Sequence, residues 1–310
     1  MQGAELKSIK EIEQLSSDER IQYYQHVKDY CIAEIPLKSF STIKRTLAYI
    51  ISKFMRKYEL EIRGTENVPV DDSAIYVCNH SNSHDFFTLT ETFVKINKKV
   101  TPLAAEDGLN WISRMMFGLG NSSFINRDDK KVTKTGELGL CKGLLNGIST
   151  IIFAESTWNL HPTKVMLPIK AGPVEIALIT GKKIVPTIFE YIEVNQKCKK
   201  ESELYSKCIV SFGEPITVNY SDSIFIQADV IQSKMEEMRH LIWEEFGVKK
   251  AIDDIDRDLY MNHLFLKKKS MAGYSYDSKY EASFIRRVNG VCENEFYIDE
   301  ENRFVPVKFE

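Results

Sequence analysis

A chain of 310 residues, 43% hydrophobic and 27% charged, has enough apolar material for one substantial domain with extensions, and so modest a share of proline and glycine excludes collagen-like and disordered readings. The formal net charge of −3 gives no general pull towards nucleic acid, and no nucleic-acid partner is expected. Cys31, Cys78, Cys141, Cys198, Cys208 and Cys292 show no CxxC spacing, the first stretch is polar and mixed in charge rather than a leader, and no apolar run approaches the roughly 18–20 residues that span a bilayer. These features predict reduced thiols and a cytoplasmic location without a membrane span.

In chain order, residues 1–36 read as polar helical material, with Ile9, Ile12 and Leu15 at helix-like intervals. Residues 40–58 form a stronger pattern. Ile43, Leu47, Ile50, Ile51, Phe54, Met55 and Tyr58 follow one helical face, and Lys44, Arg45, Lys53, Arg56 and Lys57 occupy much of the remainder. From about residue 59 the pattern becomes α/β. Leu60–Arg63 alternates like a short strand ended by Gly64, and Ala74–Cys78 is an apolar run of buried-strand length leading into Asn79 and His80. A helix is predicted from Asp85 to about Ile96. Further strands are predicted over Ser149–Phe153, Lys183–Phe189 and Lys207–Phe212, with a helix over Val174–Thr180 closed by Gly181. The last clear helix runs from Ala228 to Phe246 on a stripe of Ile231, Met235, Met238, Ile242 and Phe246. Phe296–Ile298 and Phe304–Val307 are complementary enough to pair as a hairpin. Alternating strands and helices predict a central, mostly parallel or mixed sheet with helices on both faces.

A strand that releases His80 into a turn, followed by Asp85 at a helix start, can bring a carboxylate to one imidazole nitrogen and leave the other for proton transfer. The same spacing also fits a helix-capping aspartate beside a surface histidine. His80, His84 and Asp85 can be drawn as metal ligands of a metal-dependent hydrolase, but His161 and His263 stand isolated, no second ligand cluster accompanies them, and no metal is expected.

Four further blocks change the weight of the His80–Asp85 pair. Asn79, His80 and Asp85 are followed in order by Phe124-Ile125-Asn126-Arg127, by Phe153-Ala154-Glu155-Ser156-Thr157, by Lys170-Ala171-Gly172, and by Ile184-Val185-Pro186. In this order the chain resembles the PlsC-like glycerolipid acyltransferases, the lysophosphatidic acid acyltransferase family, over about residues 60–220. The resemblance implies a catalytic domain at 59–248, preceded by an N-terminal helical region at 1–58 and followed by a C-terminal extension at 249–310 with no assigned role. It implies acyl transfer from acyl-CoA or an acyl carrier protein to a hydroxyl of a lysophospholipid-like or other lipid acceptor, with no bound cofactor. His80 would be the general base and Asp85 its orienting partner. Arg127, Glu155, Ser156, Thr157 and Lys170 would contact the acceptor, Arg127 through a bidentate grip on phosphate. Asn79, Phe124, Gly172 and Pro186 complete the motif residues.

The departures bear on the acceptor. The family's Phe-Pro-Glu-Gly-Thr-Arg block reads Phe153-Ala154-Glu155-Ser156-Thr157-Trp158. Ser156 replaces a glycine, so a different local loop is expected; Trp158 removes a cation and adds a broad apolar surface. A larger, less charged acceptor therefore stands beside a phosphate-bearing one, and a catalytically inactive lipid-binding or scaffold protein on the same fold stands beside the enzyme. Glu155 has two roles open to it, holding an acceptor hydroxyl or ordering its loop. The basic stripe at 40–58 likewise has two: lying in a membrane interface as a peripheral contact, or packing on the protein's own core.

Overall fold

The computed structural model describes residues 6–81, 84–105, 111–126, 129–156, 159, 165–193, 205–248, 296–298 and 304–306. Arg127, Thr157 and Trp158 lie outside these residues, as do Cys198 and nearly all of the extension from 249 onwards. Within that extension only two short strands, Phe296–Ile298 and Phe304–Pro306, are described; they pair antiparallel with Phe296 opposite Pro306.

Helices α1 (Ile9–Glu13) and α2 (Ser17–Glu34) each open with a capping box, Ser8 with Glu11 and Ser16 with Glu19, so the polar N-terminal region breaks at Leu15 into two short helices. Helix α3 spans Thr42–Met55 behind the Ser41 cap. Then come β1 (Glu59–Arg63), β2 (Ile75–Cys78), α4 (Asp85–Lys95), β3 (Val100–Ala105), α5 (Trp111–Leu119), β4 (Ser123–Ile125), α6 (Lys130–Leu145), β5 (Ser149–Phe153), α7 (Gly172–Thr180), β6 (Ile184–Glu193), β7 (Tyr205–Phe212) and α8 (Ile224–Phe246).

Among the described residues, seven strands form one mixed sheet in the order β1-β7-β6-β2-β5-β3-β4, in which only the β6–β7 pair is antiparallel. The chain has the α/β architecture expected from its sequence. The period of two along β2 divides the core. Ile75 and Val77 face the layer containing α2, α6, α7 and α8, whereas Tyr76 and Cys78 face the layer containing α4. All four positions are fully buried, which is why the run reads as continuously apolar.

Pro186 sits in the centre of this sheet without breaking it. Ile184 bonds Ile216 and the Pro186 carbonyl accepts from Gly213 at 2.8 Å, so the missing proline N–H falls on the side of the 213–215 turn, and the β2 ladder loses no donor.

Several sequence expectations need correction. Tyr58 does not belong to α3: it lies beyond the helix end and is buried, its hydroxyl 2.5 Å from Thr88 Oγ1. Apart from the half-buried Ile51, the remaining apolar stripe of α3 faces outward, with Ile43 80% and Phe54 75% exposed, while Ala48 and Ser52 form the buried face. Arg45 and Arg56 are not surface cations. Arg45 donates to the Phe93 carbonyl at 2.8 Å, and Arg56 pairs with the buried Glu91 at 2.7 Å, so both fasten α3 to α4. Strand β6 runs past Phe189 to Glu193. Strand β3 and helices α5 and α6 carried no clear sequence signal. In α6, Gly136 weakens helix propensity, yet a Cβ there would come within 2.8 Å of the Phe124 carbonyl oxygen. Close approach of β4 requires the glycine that hides the helix.

Candidate active site

The site forms where β2 ends. Asn79, fully buried, uses its side-chain amide as a substitute backbone group: Oδ1 accepts from Phe189 N–H at 2.7 Å and Nδ2 donates to the Phe189 carbonyl at 3.0 Å. This extends the β2–β6 pairing one step beyond the ladder and frees the next residue to turn out of the sheet. That residue is His80.

Asp85 is the first residue of α4, where the helix dipole favours its negative charge. Its Oδ2 lies 2.7 Å from His80 Nδ1 and also accepts the Ser81 N–H at 2.7 Å. The Asp85 side chain is 1% exposed and that of His80 is 22% exposed. A carboxylate at Nδ1 fixes that nitrogen as the donor, leaving proton exchange with a substrate to Nε2. The imidazole stacks on Phe153 with centroids 4.4 Å apart, so its plane is held from the β5 side as well.

Glu155 holds the backbone of the same histidine. Its Oε1 accepts the His80 N–H at 2.8 Å and its Oε2 accepts the Leu167 N–H at 2.6 Å, with the residue wholly buried. Of its two possible roles, this geometry fits ordering the loop. Burial raises its pKa from 4.5 to about 7, opposed by those two backbone bonds and by the Arg239 charge. Asn159, a residue the sequence did not single out, completes the support by donating its N–H to the His80 carbonyl at 2.9 Å.

Ser156 has φ 64°, the left-handed conformation a glycine adopts readily. A serine therefore holds, in the altered third block, a backbone conformation that L side chains rarely adopt. Lys170 is exposed and contributes its backbone N–H to the Ala154 carbonyl at 2.9 Å. Gly172 begins α7, where an added Cβ would meet nothing within 4 Å. Phe124 is half-buried in the centre of β4. Pro186 lies in β6, in register with Val77. The fold thus gathers Asn79, His80, Asp85, Glu155 and Ser156 at adjoining strand ends, while Arg127 and Thr157 fall outside the described residues.

His84 ends the intervening turn, with its ring edge-on to Tyr58 at 5.8 Å. Among the described residues, no three His, Cys, Asp or Glu side chains converge as a metal centre would require.

Residues 59–190 match the family model described as Acyltransferase. No curated protein matches the chain. Among solved structures, the chain is similar to the 1-acyl-sn-glycerophosphate (LPA) acyltransferase PlsC from Thermotoga maritima, at 17% identity and a TM-score of 0.49, covering 76% of this chain and 94% of that one. The matched segment contains β2, α4 and β5, and with them His80, Asp85 and Glu155: over residues 59–190 this chain is similar to the acyltransferase family.

Proposed function

We propose that the protein transfers a fatty acyl group from an acyl thioester to the hydroxyl of a lysophospholipid-like acceptor, with His80 as general base and Asp85 as its orienting partner. The observation that carries this reading is the buried Asp85 carboxylate 2.7 Å from His80 Nδ1, within a segment that matches the acyltransferase family. In the proposed reaction, Nε2 takes the acceptor's proton as its oxygen attacks the thioester carbonyl. The tetrahedral intermediate then collapses, the carbon–sulfur bond breaks, and the departing thiolate takes the proton from the imidazolium. Asp85 stabilises that imidazolium while it exists.

The donor is acyl-CoA or an acyl carrier protein thioester. Arg127, Thr157 and Lys170 are proposed to engage the acceptor headgroup. The test is a matrix of acyl donors and lipid acceptors, read by thiol release and by mass spectrometry of the product, with wild type beside His80→Ala. General-base loss is expected to lower turnover by about 10²–10⁴-fold. No His80-dependent release with any pair would favour the rival reading, a lipid-binding protein on the same fold.

The proposed setting is the surface of an anionic membrane. No helix among the described residues is long and apolar enough to cross a bilayer. On α3, however, Ile43, Leu47, Ile50, Phe54 and Met55 are exposed beside exposed Lys44, Lys53 and Lys57, a combination suited to a headgroup region. Neighbouring α5 exposes Trp111 and Met115. In vesicle flotation, Ile43→Asp/Phe54→Asp is expected to lose binding to anionic vesicles while remaining folded; unchanged binding would remove α3 from this role.

A further inference from the structure

The structure places a polar cluster behind Glu155 that the proposed chemistry does not use directly. Glu190, in the apolar run Ile188-Phe189-Glu190-Tyr191-Ile192 of β6, is 4% exposed, and Arg239 of α8 is 8% exposed. Arg239 Nε donates to Glu190 Oε2 at 2.5 Å, and Trp243 Nε1 donates to Glu190 Oε1 at 2.9 Å. A buried ion pair is weak evidence for stability, because desolvation offsets most of the attraction. This pair does something further: Arg239 also donates to the Val165 carbonyl. Two turns earlier on α8, Gln232 Oε1 accepts the Ile169 N–H at 3.1 Å. Between these two anchors lies Leu167, whose N–H holds Glu155, and Glu155 in turn holds the His80 N–H.

We infer that Arg239 and Gln232 of α8, with Glu190 of β6, are positioning residues for the base: they fix the 165–169 backbone, and through Leu167 and Glu155 they fix His80. Arg239 and Gln232 lie beyond the segment that matches the acyltransferase family. The inference rests on the proposed role of His80. The groups facing Glu155 are the His80 and Leu167 N–H groups, Asp85 from α4, which opposes its ionisation, and Arg239 from α8, which favours it. Ionised Glu155 accepts both N–H groups, so loss of Arg239 should make the arrangement fail at a higher pH.

The test compares wild type, Glu190→Gln/Arg239→Met and Gln232→Leu in the thiol-release assay across pH. The double variant removes both charges together and leaves an acceptor for Trp243. It is expected to unfold within about 5 °C of wild type, to lose about 10–100-fold in kcat, to keep KM for donor and acceptor within about twofold, and to move the acidic limb of kcat/KM to higher pH. Gln232→Leu changes no charge and is expected to lower kcat about threefold or more without moving that limb. An unchanged kcat in Gln232→Leu would overturn the inference, even if the double variant failed to fold. So would a fall in kcat of the double variant with the acidic limb unmoved, which marks only a loss of active protein. Wild type separates the two readings: without His80-dependent turnover there, the proposed function fails and this inference with it, whereas turnover in wild type that the variants share leaves the function standing and removes the positioning role.

Discussion

Helices α3 and α8 carry the same kind of sequence signal and use it in opposite ways. Both show an apolar stripe at helical spacing. In α8, Ile231, Met235 and Ile242 on that stripe are buried against the sheet, and polar residues beside it reach the site. In α3 the stripe faces outward, and the buried face is made of Ala48 and Ser52 flanked by the Arg45 and Arg56 contacts to α4. Periodicity finds a stripe but not the side that is covered. Small residues admit a close neighbour, and arginines can fasten a helix through carbonyls and a carboxylate, so a mainly polar face can be the packed one.

The comparison breaks first at Met235, which is fully buried. Met235→Ala is expected to cost about 2–5 kcal/mol in denaturant unfolding; a cost as small as that of an α3 stripe substitution would erase the contrast. Next comes the carboxylate that α8 supports. Glu155→Gln replaces one of two acceptors with a donor facing a backbone N–H, an expected loss of about 1–3 kcal/mol. Its pH dependence has a definite sign. The wild-type carboxyl titrates near 7 when folded, above its ordinary 4.5, so the native state holds the proton more tightly and stability falls as pH rises between those values. Unfolding curves of Glu155→Gln should lack that component, and equal slopes in both proteins would refute it.

A smaller effect is expected at Ser156, the residue after Glu155. Its φ of 64° should make Ser156→Gly stabilising by about 1 kcal/mol, measurable by thermal unfolding. The smallest effect belongs to α3. Phe54→Ser should change stability by no more than about 0.5 kcal/mol, because an exposed side chain has little burial to lose; a loss above about 2 kcal/mol would mean that the stripe is packed after all.

Much of the sheet was legible because buried strands are short, continuous apolar runs, as at Ile75–Cys78 and Ser149–Phe153. The candidate base and its partner were legible because their contact is local: a strand end, a turn and a helix start bring His80 and Asp85 together through sequence spacing alone. The α6 helix was obscured by glycines such as Gly136, which is required by β4 rather than by the helix. The support behind Glu155 was illegible for a related reason. Arg239 reaches across 49 positions to Glu190 and 74 to Val165, and no local periodicity encodes such a contact. An acid inside an apolar strand signalled that Glu190 needed a partner, but not which one.

The sequence by itself determined the α/β class, the strand that delivers His80 and the nearness of Asp85, because these follow from hydrophobic period and short-range geometry. Tertiary structure decided which face of α3 is covered, that Ser156 adopts a left-handed backbone conformation, and that Glu155 spends both oxygens on backbone N–H groups. Each of those outcomes depends on which distant groups arrive to cover a surface or satisfy a buried charge, and burial and hydrogen-bond partners exist only once the chain has closed on itself.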